Sequence, residues 1–293
     1  MIMRKRIIGL VLIVVLILFT CVGCVMPDST SIQGTPTITI VPSPLPITVD
    51  DVDRVDSMLR VSSQDYLYSI AEGLVAGHTS FTKLGYNDDV GTGEEDIWIN
   101  GGLYVFPTSP MQMELTSSSV EDDPAKADLS AGSGVWTVRI SYLDNTYTEQ
   151  SETITLNGTG VVTTVATNIL RVNALRAVTT GSTYKAAGTI TIRNIADTPI
   201  YRSIGVGYTR GREGIYTVPL GKTLYITSIA VSSGYSTVGK NVKWTARANY
   251  DDVSNTILTA GLFFMPYFEI QTQDSSFVRD FEIPMRVPPT ADI

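Results

Sequence analysis

The sequence predicts an all-β protein: two tandem antiparallel β-sandwich or jelly-roll-like domains with one short N-terminal helix. Three observations carry that expectation. Apolar and polar residues alternate with period two over strand-length runs from Val135 onward. Between Val135 and Arg193 stand 14 Thr, 7 Val and 5 Ile in 59 residues, a β-branched excess that favours sheet over helix. Turn residues such as Asp144-Asn145 and Asn157-Gly158 punctuate these runs. A chain of 293 residues that is 43% hydrophobic and 17% charged has enough apolar material for a buried core, which excludes wholesale disorder.

Residues 1–24 have the order of an export signal: basic Arg4, Lys5 and Arg6, an uncharged run from Ile7 to Phe19, then Thr20-Cys21-Val22-Gly23-Cys24. Val22-Gly23-Cys24 resembles the processing site of bacterial lipoproteins, which makes Cys24 the expected lipidation residue. The alternative is an uncleaved anchor, because Ile7 to Met26 is 20 residues without a charge and is long enough to span a bilayer. Either fate places the body at the cell envelope, facing out of the cytoplasm. Residues 25–60 read as a linker, rich in Ser, Thr and Pro through Asp51, as in Val41-Pro42-Ser43-Pro44-Leu45-Pro46. Such a composition favours extended, polyproline-like chain without a core.

The first folded unit is expected over 61–199. Ser62 as N-cap, Asp65 three residues later, and Tyr66, Ile70 and Leu74 on one face predict a helix that stops at Gly77. Val135 to Tyr142 predicts a strand with Trp136, Val138, Ile140 and Tyr142 on one face. Asp144-Asn145 then turns the chain into Glu152 to Leu156, and Asn157-Gly158 makes a hairpin turn. Asn168 to Val172 and Thr189 to Arg193 follow as strands. The polar stretch from Asn194 to Gly214 breaks the pattern, so a second sandwich is expected over 200–293. Its strands are Leu224 to Val231, Val242 to Asn249, Leu258 to Ile270 and Phe277 to Val287, with Pro266 and Pro284 at edges or bulges. The last residues read as a turn followed by the start of a further strand, so this sandwich is expected to be one strand short and to receive that strand from a partner or a chain continuation.

The chemistry-bearing residues are few. The net charge is −8, and removing the three basic residues before Cys24 takes the rest to −11; a body this acidic repels nucleic-acid phosphates unless a basic face is segregated, and no stretch of sequence concentrates Lys and Arg that way, so no nucleic-acid partner is expected. Both cysteines lie in the N-terminal segment, so the body holds no disulfide. Gly221-Lys222-Thr223 lacks the upstream glycine of a phosphate loop and leads into a strand. Gly205-Val206-Gly207 lacks the third glycine of a dinucleotide site, and Gly132-Ser133-Gly134 lacks the shape of a nucleophile elbow. His78, the only histidine, reads as a cap or packing residue. Asn87-Asp88-Asp89 and Glu94-Glu95-Asp96 around Gly91-Thr92-Gly93 offer hard oxygen ligands for calcium, with a solvated loop as the competing reading; Glu121-Asp122-Asp123 is a weaker version. No catalytic, cofactor-binding or metal-ligating residue is assigned, and Cys24 is the one site residue.

A series of short strings occurs in order along the body: Ser80-Phe81-Thr82-Lys83-Leu84-Gly85-Tyr86-Asn87, Gly101-Gly102-Leu103-Tyr104, Phe106-Pro107-Thr108, Glu152 to Thr159, Arg171-Val172-Asn173 and Tyr216-Thr217-Val218-Pro219. Together, over roughly residues 62–293, they resemble a group of tailed-phage virion structural proteins. The resemblance implies a non-enzymatic β-structural role, a further strand after Ile293, and no catalytic residues to carry across. The export segment and stalk are foreign to that group. The expected function is therefore a non-enzymatic structural or attachment protein of virion type, displayed through its N-terminal segment. The alternative is a surface lipoprotein that binds glycan or protein. Expected partners are further copies of the chain, other virion or envelope proteins, the membrane and a surface glycan.

Overall fold

The computed structural model describes residues 13–20, 66–234, 241–251, 256–258, 264–273 and 276–293. Cys24, the 25–60 linker and the Ser62 cap lie outside the described residues. The elements run β1 (Ile13–Thr20), α1 (Tyr66–Ala71), β2 (His78–Gly85), β3 (Met113–Ser117), β4 (Val135–Asp144), β5 (Glu149–Thr155), β6 (Val162–Thr163) and β7 (Ile169–Thr180). They continue with β8 (Ile190–Asn194), β9 (Ile200–Ile204), β10 (Thr223–Ser232), β11 (Asn241–Ala248), β12 (Tyr250–Asp251), β13 (Thr256–Ile257), β14 (Met265–Gln273) and β15 (Ser276–Val287). The fold is all-β with one short helix, and every strand pair is antiparallel.

The helix is shorter than the sequence pattern suggests. It ends at Ala71 because Gly73, at φ 75°, takes the left-handed turn, and the Leu74 N–H reaches back to the Ser69 carbonyl at 2.8 Å. Gly77 lies beyond this stop, at the entry to β2.

Two sheets, β6-β3-β8-β9 and β5-β4-β7, contribute side chains to one apolar cluster. Met113, Leu115, Ile190 and Ile192 come from one sheet, and Val138, Ile140, Tyr142, Ile154 and Leu175 from the other. Period-two patterning produces this packing: Val138, Ile140 and Tyr142 are buried while Thr137, Arg139 and Ser141, which alternate with them, are not. Trp136 is only half-buried, its indole N–H donating to the Gly132 carbonyl at 2.7 Å. The Asn157-Gly158 turn corrects the expected hairpin. Gly158 takes φ 54°, but the chain passes from β5 in one sheet to β6 in the other. The polar stretch after Asn194 contains β9, which pairs with β8, so the first cluster extends to Ile215.

A second cluster gathers Tyr216, Val218, Leu224, Ile226, Ile229, Val231, Trp244, Ala248, Tyr250, Val287 and Ala291. It lies against the sheet β15-β10-β1-β2 and the ribbon β11-β14. Both strand prolines sit at bulges. Ala246 pairs with Phe268 and Arg247 with Pro266, which leaves Tyr267 as an extra residue. Residues 281–284, ending at Pro284, lie opposite Thr227 between the pairs Ser228↔Asp280 and Ile226↔Met285. Proline lacks the N–H that a regular ladder needs, and a bulge removes that need.

Buried polar side chains join the clusters. Asp292 is fully buried and accepts from Arg171 Nε at 2.8 Å, Arg171 Nη2 at 2.9 Å, Thr217 Oγ1 at 2.6 Å and Asn249 Nδ2 at 3.1 Å. Asn173 of β7 exchanges two hydrogen bonds with the Thr217 backbone. Arg202 and Glu213 are both buried, with Nη1 and Oε2 3.4 Å apart; the other Arg202 nitrogens donate to the Val172 and Ile215 carbonyls. Burial first, and the Arg202 charge second, hold the Lys83 ammonium well below its ordinary pKa, while Glu213 opposes them. Its Nζ donates to the Asn173 carbonyl at 2.7 Å.

Candidate functional site

The acidic loop expected as a calcium candidate is occupied with its own chain. Glu95 accepts from Asn87 Nδ2 at 2.9 Å and from the Gly91 N–H at 2.8 Å, and Asp96 accepts from the Tyr104 N–H at 2.6 Å. Arg247 of β11 donates to Glu94 at 2.6 Å and to Asp96 at 2.7 Å. The carboxylates thus fasten the loop to the ribbon. The weaker candidate behaves likewise: Asp122 is fully buried and accepts from Ser117 Oγ and from the N–H groups of Val135, Ala187 and Gly188 at 2.6 to 3.0 Å. Among the described residues no group of three His, Cys, Asp or Glu side chains could hold a metal ion.

His78 packs edge-on against Tyr66. Its Nδ1 lies 3.1 Å from the Ala76 carbonyl, which can only accept, so Nδ1 donates there, and Nε2 lies 3.2 Å from Tyr66 Oη. Both ring nitrogens are thereby committed to local contacts. Gly221 takes φ 74° in the turn that opens β10, and Lys222 pairs with Glu149 on the surface.

The site with most chemical character is a surface depression of about 470 Å³, lined by Leu84, Thr183 to Lys185, Gly207 to Arg210 and Arg212. Three segments build it. The end of β2 delivers Leu84, and just beyond it the Tyr86 N–H bonds to the Arg212 carbonyl at 3.0 Å. The turn after β7 delivers Tyr184 and Lys185, held by Thr183 Oγ1 donating to the Ser133 carbonyl at 2.7 Å. The segment after β9 is stitched to β7 and Ala186: Ala177 N–H donates to Thr209 O at 2.7 Å, Gly211 N–H to Leu175 O at 2.8 Å and Ala186 N–H to Tyr208 O at 2.9 Å.

The Arg212 guanidinium packs against two rings that also touch each other, 4.9 Å from the Tyr86 centroid and 4.7 Å from that of Tyr208, the centroids being 6.3 Å apart. Contact with both rings restrains the orientation of its planar fork. Burial foremost, with the nearby Asp88 charge, raises the Tyr86 phenol pKa, so Tyr86 stays a neutral hydroxyl at ordinary pH. Tyr184 is 77% exposed and adopts φ 55°, an uncommon backbone state for a bulky residue. Lys185, Arg210 and Arg212 contribute three positive charges and the lining has no carboxylate, on a chain whose net charge is −8.

A second depression of about 370 Å³ is bounded by Arg139, Ser141 to Leu143, Glu149 to Ser151 and Asn173. Its charges are engaged, Arg139 with Ser151 at 2.7 Å and Glu149 with Lys222. The residues of the first depression were not singled out by sequence reading. The local signal is Tyr208-Thr209-Arg210-Gly211-Arg212, an aromatic beside a paired-arginine turn, but Tyr86 and Tyr184 join it only through the fold. The chain matches no protein family, no curated protein and no solved structure.

Proposed function

We propose that the chain is a non-catalytic structural or attachment protein of virion type that contacts an acidic saccharide through the depression lined by Tyr184, Lys185, Tyr208, Arg210 and Arg212. One observation carries this reading: Lys185, Arg210 and Arg212 stand beside Tyr184 and Tyr208 in a depression whose lining residues include no carboxylate, on an otherwise acidic chain. Tyrosine rings suit the apolar faces of sugar rings, and a pre-oriented guanidinium suits a uronate carboxylate or a sulfate, losing little entropy on contact. The buried ion pairs and the hydrogen-bonded Asp122 and Asp292 favour a fixed scaffold over a moving catalytic cleft.

Calorimetric titration of the full chain with polygalacturonate, and with its neutral methyl ester, tests the proposal. Binding to the acid polymer that weakens with salt, and falls at least about tenfold in Arg212→Ala and Tyr208→Ala, is the expected result. Equal binding to both polymers, or affinity untouched by Arg212→Ala, overturns it.

A further inference from the structure

The outer face of the sheet β5-β4-β7 carries charge of one sign over its middle. Thr137, Arg139 and Ser141 of β4 alternate with the buried Val138, Ile140 and Tyr142, and so face outward. Beside them in the register stand Thr155, Thr153 and Ser151 of β5, all exposed, and Thr179, Arg176 and Ala174 of β7. None of these nine positions holds a carboxylate.

The arginines of this face form a line that runs on past the sheet. Arg139 is the register partner of Arg176, and Arg176 forms an isolated bridge with Arg210 in the segment after β9. Ala177 N–H donates to Thr209 O at 2.7 Å and Gly211 N–H to Leu175 O at 2.8 Å, one on each side of the bridge. Arg176 and Arg210 are therefore a non-hydrogen-bonded pair, the kind that brings side chains closest. With strands about 4.8 Å apart, the three Cα atoms fall within roughly 10 Å across the strands. Arg176 and Arg210 are exposed, and Arg139 Nη2 donates sideways to Ser151 Oγ at 2.7 Å. Among the described residues, no ion pair with a carboxylate engages any of the three. Like charges placed opposite one another repel, and a polyanion laid along them replaces that repulsion with attraction.

The line also connects two places described above. Arg210 lines the depression that holds Tyr184, Lys185, Tyr208 and Arg212, and Arg139 lines the second depression. Arg176 stands between them.

We propose that the saccharide site continues out of the first depression along Arg210, Arg176 and Arg139, and that its ligand is a linear acidic polysaccharide lying across β7 and β4. This inference rests on the saccharide reading of the depression. Charge complementarity selects a polyanion, and the neighbouring residues select its kind. Thr and Ser hydroxyls flank the arginines and can both donate to and accept from sugar hydroxyls. No aromatic ring occupies the nine positions for a nucleic-acid base to stack on. Guanidiniums in a line meet carboxylates repeated along one chain, and each contact after the first is intramolecular, so affinity grows with ligand length.

Calorimetry of the full chain with digalacturonate, short enough for the depression alone, and with octagalacturonate tests the proposal. The parent should bind the longer ligand at least about tenfold more tightly. In the double variant Arg139→Gln, Arg176→Gln most of that gain should disappear, and octagalacturonate binding should weaken less with added salt. Circular dichroism checks that the variant is folded; if it is not, Arg176→Gln alone replaces it, with a smaller loss in the same direction. A gain with length that is equal in parent and variant overturns the extension and leaves the depression standing. Failure of the parent to bind either ligand overturns both. A single-stranded oligonucleotide of equal charge that binds as tightly as octagalacturonate overturns the assignment to saccharide.

Discussion

The two apolar clusters are completed in different ways. The first takes its members from Trp98 to Ile215, and its two sheets use strands that follow one another closely in the chain. The second sits against a sheet whose members come from residues 13–20, 78–85, 223–232 and 276–287. The difference teaches that one half of the fold is closed by local chain while the other depends on segments arriving from far away. Asp292, accepting from Arg171, Thr217 and Asn249, makes the two halves one structure.

The sharpest way to break that contrast is Asp292→Ala. It leaves the buried Arg171 guanidinium without its counter-charge and strands the Thr217 and Asn249 donors, at a cost of about 3–5 kcal/mol. Trp98 lies in the first cluster and Trp244 in the second, so variants retaining one tryptophan each report the halves separately. A single transition in the parent should divide into two in Asp292→Ala, with the Trp244 signal lost first in urea.

Alkaline pH offers a second test, directed at the first cluster. Burial raises the Tyr104 phenol from 10.0 to about 12, and burial also raises that of Tyr216 in the second cluster. A phenol held more tightly protonated when folded contributes its full stabilisation below its unfolded pKa and loses it as pH climbs toward the folded value. For Tyr104 that window runs from 10.0 to about 12, and a shift of this size corresponds to about 3 kcal/mol. Tyr104→Phe should therefore make the Trp98 transition decline less steeply than the parent across that window, the remaining decline coming from Tyr142 and Tyr201 of the same cluster, whose phenols burial also raises. An equal decline in both would assign the alkaline sensitivity to other groups.

A third, smaller effect concerns β1. Leu16→Pro removes a backbone donor from a strand paired on both sides and should cost about 2 kcal/mol. Only the Trp244 transition should move. A matching shift at Trp98 would mean that the first cluster also depends on the remote strand.

Much of the sheet content was legible because exposure on one side writes alternation into the sequence, as in β4; in β10 the buried side changes phase at Thr227, where the register shifts against β15. The two prolines likewise marked the bulges in β14 and β15. β9 was not legible. Tyr201, Arg202, Ser203 and Ile204 are all buried, and an arginine satisfied by the Val172 and Ile215 carbonyls looks in sequence like a solvated one. Asp122 and the Glu94–Asp96 loop misled in the same way, since a carboxylate enclosed by N–H donors and one awaiting a cation have the same letters. The depression was invisible because residues near 86, 184 and 212 meet only when β2, β7 and β9 are in place.

The Pro284 bulge carries one more consequence. β15 forms the outer border of its sheet, and four of its residues loop away opposite Thr227 with Ile283 84% exposed. That border cannot template another molecule along its length, because its row of donors is interrupted in the middle. Continuous edge-to-edge pairing is thereby disfavoured on that flank.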